Sequence, residues 1–247
     1  MRLHDTHCHL DLYQDRAALL EEIERLGIYT IAVTNAPSVF RLTKQLTEGK
    51  RFVRPALGLH PELVASHGHE LDLFEELLPD TKYIGEVGLD YTNTTQEERV
   101  VQRRVFERIL TLAHDAGGRI VTVHSRGAAD DVITMALAHE PGPFILHWFS
   151  GNAKALSRAN EAGLWLSVNP AMGHSLQGRR RFTAFRRDRV LLESDGPFVD
   201  VRGEPARPRH GEEVVRFIAE EWGTTPEETA TQLQNNLRLC LTSVRFG

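Results

Sequence analysis

Several features that would define a class of protein are scarce in this sequence. Its 247 residues include two cysteines, Cys8 and Cys240, which are too far apart in sequence to suggest a disulfide framework. That usage suits a reducing compartment, and we expect a cytoplasmic protein. No apolar run approaches the roughly 20 residues of a membrane helix, and the first residues lack the basic and apolar segments of a secretory signal. We therefore expect no membrane association.

Positive charge is also in deficit. The 29 lysines and arginines are outnumbered by 34 aspartates and glutamates, which gives a net charge of −5 with neutral histidine. No overall positive field draws such a protein towards nucleic acid or anionic lipid, so any site for a polyanion has to be local. Histidine, in contrast, is plentiful, with 12 copies.

Short β-rich runs alternate along the chain with longer segments of helical period, which is typical of βα units around a parallel sheet. The predicted strands are 2–9, 29–34, 53–59, 83–89, 120–124, 144–148, 164–168 and 190–192. The clearest predicted helices are 17–26, 96–116, 130–137, 210–221 and 226–240. No linker rich in proline, glycine or serine interrupts this series. The sequence predicts an α/β fold with one domain over residues 1–247, a single (β/α)8 barrel of the TIM type.

Polar side chains lie at or near the carboxyl ends of these predicted strands. They are Asp5, His7, His9, His60, Glu86, Asp90, His124, His147, Glu193 and Asp195. The carboxyl ends of all strands in a parallel barrel open onto one face, so these groups can converge there. His7 and His9 are two residues apart on one strand and share a face, which lets two imidazoles bind one cation. Any one histidine could be an ordinary core or surface residue, but the whole set predicts a metal site.

Six of these residues are suitable metal ligands, more than one tetrahedral zinc needs. They are His7, His9, Glu86, His124, His147 and Asp195. We expect two divalent cations about 3.5 to 4 Å apart with Glu86 as their bridge, since Gly85 and Gly88 leave space beside it. Asp195 can bind one cation and accept a proton from the attacking water; the alternative is a helix cap or turn residue. The ligand mixture suits zinc, manganese or magnesium equally.

One segment is strongly basic and begins with Arg179, Arg180 and Arg181. Residues 179–190 hold six arginines and one aspartate, a net charge of +5 that leaves −10 for the rest of the chain. Between the seventh and eighth strands we expect this patch near the barrel mouth, where it could hold a DNA backbone without reading sequence. A solvated helix face or a docking surface for a partner is the alternative. Four aromatic residues could stack on unpaired bases or belong to the core: Trp148, Phe149, Phe182 and Phe198.

Seven segments, spread over residues 3–239, carry a likeness to a known family. They are DTHCHLD, ALGLHPE, YIGEVGLDY, VTVHSRGAADDV, HWFSG, LLESDGPF and QNNLRL. The sequence resembles the TatD family of metal-dependent deoxyribonucleases. The resemblance implies two ligand groups that share Glu86: His7, His9, Glu86 and Asp195 for one ion, and Glu86, His124 and His147 for the other. It also implies that His60 faces the substrate phosphate and that Glu193 supports the ligands without binding an ion.

Other segments depart from the housekeeping members of that family. Trp148 stands where a cysteine is common, and WLSVNPAMGHSLQGRR and ESDGP also differ, while every metal position is intact. In these segments the chain resembles the TatD-like branch of Qat anti-phage systems. The resemblance implies a two-metal hydrolase that cleaves phosphodiester bonds in DNA from an accessible single-stranded end, with defence-system proteins as its partners.

Two alternatives remain open from the sequence. One is an amidohydrolase on the same barrel that attacks a C–N or ester bond. Many such enzymes bridge their metals with a carbamylated lysine at the end of the fourth strand, where this chain has Glu86, and Lys82 precedes that strand. The other is a subunit of a defence complex that serves mainly in assembly. A full ligand set argues against a wholly inert scaffold.

Overall fold

Eight parallel strands of the computed structural model form the wall of a barrel. The structure describes residues 1–140 and 142–243. The barrel strands are β1 (His4–Cys8), β2 (Tyr29–Ala32), β3 (Val53–Pro55), β4 (Tyr83–Gly88), β5 (Ile120–His124), β6 (Phe144–Leu146), β7 (Trp165–Val168) and β8 (Val190–Leu192). They form a sheet of β1 to β3 and a sheet of β4 to β8, each in sequence order.

Backbone hydrogen bonds close both seams between these two sheets. Between β3 and β4, the Leu57 N–H donates to the Tyr83 carbonyl at 3.0 Å, and the Gly85 N–H donates to the Leu57 carbonyl at 2.9 Å. Beyond the end of β8, the Asp195 N–H donates to the carbonyl of His7 on β1 at 2.9 Å. The predicted (β/α)8 barrel is confirmed.

The inside of the barrel changes from apolar to polar along the strands. Side chains alternate between the two faces of a strand, so residues two apart point the same way. Near the amino ends, an apolar layer packs against the last helix and includes Ile120, Ile145, Trp165 and Leu191. Two residues further along the chain from each of these stand Thr122, His147, Ser167 and Glu193, the second and fourth just beyond the ends of their strands. Apolar packing therefore closes the bottom of the barrel, and polar side chains collect at the carboxyl ends.

Helices connect the strands and surround the barrel. They are α1 (Arg16–Leu26), α2 (Pro37–Leu46), α3 (Val64–His67), α4 (Leu71–Leu77), α5 (Gln96–Asp115), α6 (Ala129–His139), α7 (Ala153–Glu161), α8 (Pro170–His174), α9 (Leu176–Phe182), α10 (Gly211–Trp222) and α11 (Pro226–Thr242). A short hairpin, β9 (Asp200–Val201) and β10 (Glu204–Pro205), follows β8. The start of α5 is fixed by reciprocal bonds between Thr95 and Glu98, and α11 starts in the same way with Thr225 and Glu228.

The five predicted helices are found with ends within two residues of the prediction. The predicted strand 53–59 is too long, because β3 ends at Pro55. Leu57 and Leu59 still bond to β4, but Thr34, beyond the end of β2, also exchanges hydrogen bonds with Gly85 and Glu86, so the pairing beyond Pro55 is irregular. The predicted strands 2–9, 29–34 and 144–148 are likewise shortened, to His4–Cys8, Tyr29–Ala32 and Phe144–Leu146.

Within the described ranges, no helix combines the length and apolar character needed to span a membrane. Cys8 and Cys240 are free and buried. The assignment of residues 1–247 to one domain stays a prediction.

Candidate metal centre

Glu86 stands at the centre of the polar side chains at the carboxyl end of the barrel, and it is buried. Its Oε2 lies 3.4 Å from Nε2 of His7 and 3.4 Å from Nε2 of His9. Its Oε1 lies 2.8 Å from Nδ1 of His124 and 2.8 Å from Nε2 of His147. Among the predicted ligands, each oxygen of this one carboxylate therefore faces its own pair of imidazoles, and Oε1 also lies near His60.

Asp195 completes the group on the Oε2 side. Its Oδ1 lies 3.6 Å from Nε2 of His9 and 3.9 Å from Nε2 of His7. Ligand atoms of His7, His9 and Asp195 lie within 4.8 Å of one another, as do those of His60, Glu86 and His124. The structure thus brings together all six metal ligands predicted from the sequence.

The nitrogen atoms on the Oε2 side are arranged to bind a cation rather than to form hydrogen bonds with one another. Nδ1 of His7 is engaged with the Thr122 hydroxyl at 2.8 Å, which directs Nε2 into the centre. Nε2 of His7 and Nε2 of His9 are buried without a hydrogen-bond partner in the described part of the chain. A buried polar atom without a partner is unfavourable, and a divalent cation among these nitrogens and carboxylates would satisfy both. The residues present therefore fit a metal ion.

The electrostatics of the centre also favour a cation. Burial would raise the pKa of Glu86, but the imidazoles of His60, His147 and His7 outweigh it and hold that pKa well below its usual range. Burial lowers the pKa of His7 to about 4. Burial also acts to lower the pKa of His9, but the carboxylates of Asp195 and Glu86 outweigh it and raise that pKa to about 9. The carboxylates thus hold a proton on His9 in the place where a cation would supply positive charge.

Asp90 belongs to the site, although no role was assigned to it from the sequence. Its Oδ2 lies 2.7 Å from Nε2 of His124, and its Oδ1 accepts the Thr92 N–H at 2.7 Å. A carboxylate behind a ligating histidine fixes its ring and its tautomer, which here leaves Nδ1 to face Glu86. Burial acts to lower the pKa of His124, but the bonds to Asp90 and Glu86 outweigh it and raise that pKa to about 10. The position of Asp90 just after β4 was the sequence signal that could have indicated a role at this site.

Glu193 lies behind the ligands and holds the chain that carries His147. Its Oε1 accepts the Trp148 N–H at 3.0 Å and the Asn169 side-chain amide at 3.0 Å, while its Oε2 accepts the Ser167 hydroxyl. Burial raises the pKa of Glu193 to about 7. Nδ1 of His147 lies 3.8 Å from Oε2. Ser167 and Asn169 could have been found from the sequence, since they are two residues apart on and just after β7 and so share its inner face.

His60 faces the centre as a hydrogen-bond donor. Its Nδ1 accepts the Glu62 N–H at 3.2 Å, so the ring proton lies on Nε2. Nε2 is 3.4 Å from Oε1 of Glu86. A protonated nitrogen cannot bind a metal but can donate to an anionic oxygen. This geometry suits contact with a phosphate, although His60 lies close enough to the ligands to be counted among them.

Comparison with known proteins identifies the family. The family described as TatD related DNase matches residues 4–242. The chain belongs to the TatD family. YjjV of Escherichia coli strain K12, named an uncharacterized metal-dependent hydrolase, is 27% identical over 252 residues, which cover 95% of this chain and 96% of YjjV. The crystal structure of that TatD homolog matches with a TM-score of 0.84 at 25% identity and covers 95% of this chain and 96% of its own.

Two further matches bear on chemistry and fold. The 3'-5' ssDNA/RNA exonuclease TatD of Erwinia billingiae is 26% identical over 244 residues, which cover 91% of this chain and 92% of that protein. The crystal structure of an uncharacterized amidohydrolase from Saccharomyces cerevisiae matches with a TM-score of 0.79 at 14% identity, covering 97% and 99% of the two chains, and shows the fold alone. The chain is a metal-dependent hydrolase of the TatD family.

A pocket of about 620 Å³ opens over the metal centre of this TatD-family chain. Besides the ligands, its lining includes Asn35, Leu63, Arg126, Trp148, Ser150 and Phe198. Of the four aromatic residues considered for base stacking, Phe149 and Phe182 are buried in the core, whereas Trp148 and Phe198 line this pocket. Arg126 belongs to the segment VTVHSRGAADDV but was given no role by the sequence.

The expectation of one arginine patch at the barrel mouth is wrong for its second half. Arg186, Arg187 and Arg189 directly precede β8, at the amino end of the barrel. Arg189 stacks there on Trp165, the first residue of β7, with its guanidinium carbon 4.9 Å from the ring centroid. The run of arginines begins in α9 and ends in the turn before β8, so its two halves lie on different structural elements.

The first half of the patch is divided as well. Arg179 pairs with Glu221 at 2.9 Å and with Glu220 at 3.1 Å on α10, which occupies its charge. Arg181 donates to the Gly151 carbonyl at 3.2 Å, and Arg180 is exposed. The structure does not bring these three arginines into the lining of the pocket. A role for Arg179, Arg180 and Arg181 in substrate binding stays a prediction.

Proposed function

We propose that this chain is a two-metal phosphodiesterase that degrades DNA from an accessible single-stranded end. The observation that supports it most is the position of Glu86, whose two oxygens face separate imidazole pairs at 2.8 and 3.4 Å. One carboxylate placed in this way can bridge two cations. The relative named a 3'-5' ssDNA/RNA exonuclease supports the substrate class.

The chain's own residues divide the chemistry between them. Divalent cations bound here would polarise a phosphate and acidify water. Asp195, beside His7 and His9, is placed to accept the proton of the attacking water. His60 presents Nε2–H towards the pocket, where it can donate to a phosphate oxygen. Asp90 and Glu193 keep the rings and backbone of the ligand segments in position.

The arrangement disfavours an amidohydrolase with a carbamylated lysine. Lys82 precedes β4 at the amino end of the barrel, whereas Glu86 occupies the bridging position near the carboxyl end. A side chain at the opposite end of the strand cannot take the place of that bridge.

The test uses purified protein loaded in turn with zinc, manganese or magnesium. A single-stranded DNA oligonucleotide labelled at one end or the other should be shortened progressively, and Glu86→Gln should abolish that activity and lower the metal stoichiometry. Glu75→Gln, which removes the same charge from a surface ion pair with Arg108, is the matched control and should behave as wild type. Hydrolysis of an amide or carboxylic ester but not of DNA would contradict the proposal.

A role in anti-phage defence is the finer part of the proposal. It is supported by the sequence likeness of the Trp148, WLSVNPAMGHSLQGRR and ESDGP segments to the Qat branch. We infer that partner proteins of such a system deliver the DNA, and that the protein is cytoplasmic, which agrees with its two buried free cysteines. Co-purification with proteins encoded beside it, and loss of phage resistance in cells carrying Glu86→Gln, would test this part. A chain that assembles with these partners while the assembled complex leaves DNA intact would favour a mainly structural role.

A further inference from the structure

Trp148 has an unusual backbone conformation directly beside a metal ligand. Its φ of +37° lies in the left-handed region, where a bulky side chain is rare and strained. The Trp148 N–H donates to the buried Glu193 carboxylate at 3.0 Å, which holds the chain in this conformation. The residue lines the pocket and remains 38% exposed. Strain of this kind is often retained at functional sites because it fixes the direction of a side chain.

Phe198 lies on the other ligand group. Its ring meets the ring of His9 edge to face, with 4.9 Å between centroids, and the residue is 61% exposed. His9 faces Oε2 of Glu86, whereas His147, the neighbour of Trp148, faces Oε1. The two exposed aromatic side chains are therefore associated with different halves of the metal centre and line one pocket.

Arg126 supplies positive charge to the same pocket. It follows His124 by two residues and is exposed. Among the pocket-lining residues in the described part of the chain, it is the only lysine or arginine, beside several carboxylates. A guanidinium at that place can bind a phosphate oxygen by a charge-assisted hydrogen bond.

We propose that Trp148 and Phe198 stack on the bases that flank the scissile phosphate, and that Arg126 binds a neighbouring phosphate. This inference rests on the proposed phosphodiesterase function and adds how the substrate is selected. In a duplex the faces of the bases are covered by their neighbours, so two rings that stack beside one phosphate require unpaired nucleotides. This clamp, formed by Trp148, Phe198 and Arg126, would make the enzyme prefer single-stranded ends of any sequence.

The test compares two single-stranded oligonucleotides of equal length. One carries all its bases, and the other is abasic at the last two nucleotides of both ends, with its phosphates intact. Wild type should have a KM about tenfold lower for the first, the size of effect that base–aromatic stacking produces. Trp148→Leu and Phe198→Leu should each bring this KM ratio towards one, and Trp148→Phe should restore most of it.

Two further variants complete the experiment. Arg126→Gln should raise KM for both oligonucleotides and flatten the dependence of log affinity on log salt by about 0.7, the value for one phosphate contact on a single strand. Leu176→Ala, a 78% exposed apolar side chain outside the pocket lining, is the control and should keep the wild-type ratio. Equal KM values of wild type for both substrates would overturn the clamp alone. Absence of hydrolysis of either substrate by wild type would overturn the phosphodiesterase function with it.

Discussion

Replacement of Asp90 by asparagine tests whether the orientation of His124 controls metal binding. In wild type, Oδ2 of Asp90 lies 2.7 Å from Nε2 of His124, and Oδ1 accepts the Thr92 N–H. The Thr92 N–H needs an acceptor, so in Asp90→Asn the amide oxygen stays there and the amide nitrogen turns to His124. Nε2 then has to accept, and the proton moves to Nδ1, the atom that faces Glu86. The variant therefore presents the wrong tautomer to the metal.

The expected size follows from the hydrogen bond that is lost. A buried bond to a charged group contributes about 1.5 to 3 kcal/mol, and loss of a partner behind a ligand weakens metal binding about 10- to 100-fold. Chelator competition should show this loss for one of the two proposed metal equivalents, and activity should recover in part at high metal concentration. Asp188→Asn, which removes a carboxylate from the surface pair with Arg186, is the control. Unchanged affinity for both equivalents in Asp90→Asn would refute the reasoning.

Three other changes have equally definite outcomes. Asp195→Asn should keep most of the metal, measured by elemental analysis, but lose turnover, because an amide oxygen can bind a cation and cannot accept a proton; near-normal kcat would remove Asp195 as the base. Burial lowers the pKa of His4 to about 3, so between pH 6.5 and 3 the unfolded chain binds a proton that the folded chain does not, and acidification destabilises the fold. From pH 7.5 to pH 5 His4 should lower the free energy of unfolding, measured with urea, by about 2 kcal/mol. His4→Gln should lack that part of the pH dependence; the same pH dependence in wild type and variant would exclude His4 as its source. Gly85→Ala should lower the free energy of unfolding by about 1 to 3 kcal/mol, because the new Cβ would lie 2.1 Å from Cγ2 of Thr122. Metal binding should weaken as well, since the Thr122 hydroxyl holds His7. A variant with wild-type unfolding and metal affinity would contradict this.

Much of the site could be predicted because strand geometry relates sequence spacing directly to space. His7 with His9, and Glu193 with Asp195, are two residues apart and share a face. Parallel strands then bring their carboxyl ends together, whatever the separation along the chain. The same alternation leads from His124 back to Thr122, which holds His7. The roles of supporting residues such as Asp90 depend on hydrogen bonds between different segments, and spacing along one strand does not contain that information.

Glu86 shows where strand periodicity alone fails. Tyr83, on the same strand, packs with the apolar layer at the bottom of the barrel, so strict alternation would turn position 86 to the outside. The register of β4 against β5 instead shifts between Ile84 and Val87, and Glu86 points inward. Gly85 permits this shift because its φ of +153° and its close approach to Thr122 exclude any side chain. The position of Glu86, the proposed bridging ligand, therefore depends on an irregularity that periodicity cannot place, and Gly85 beside it is the one local signal of that position.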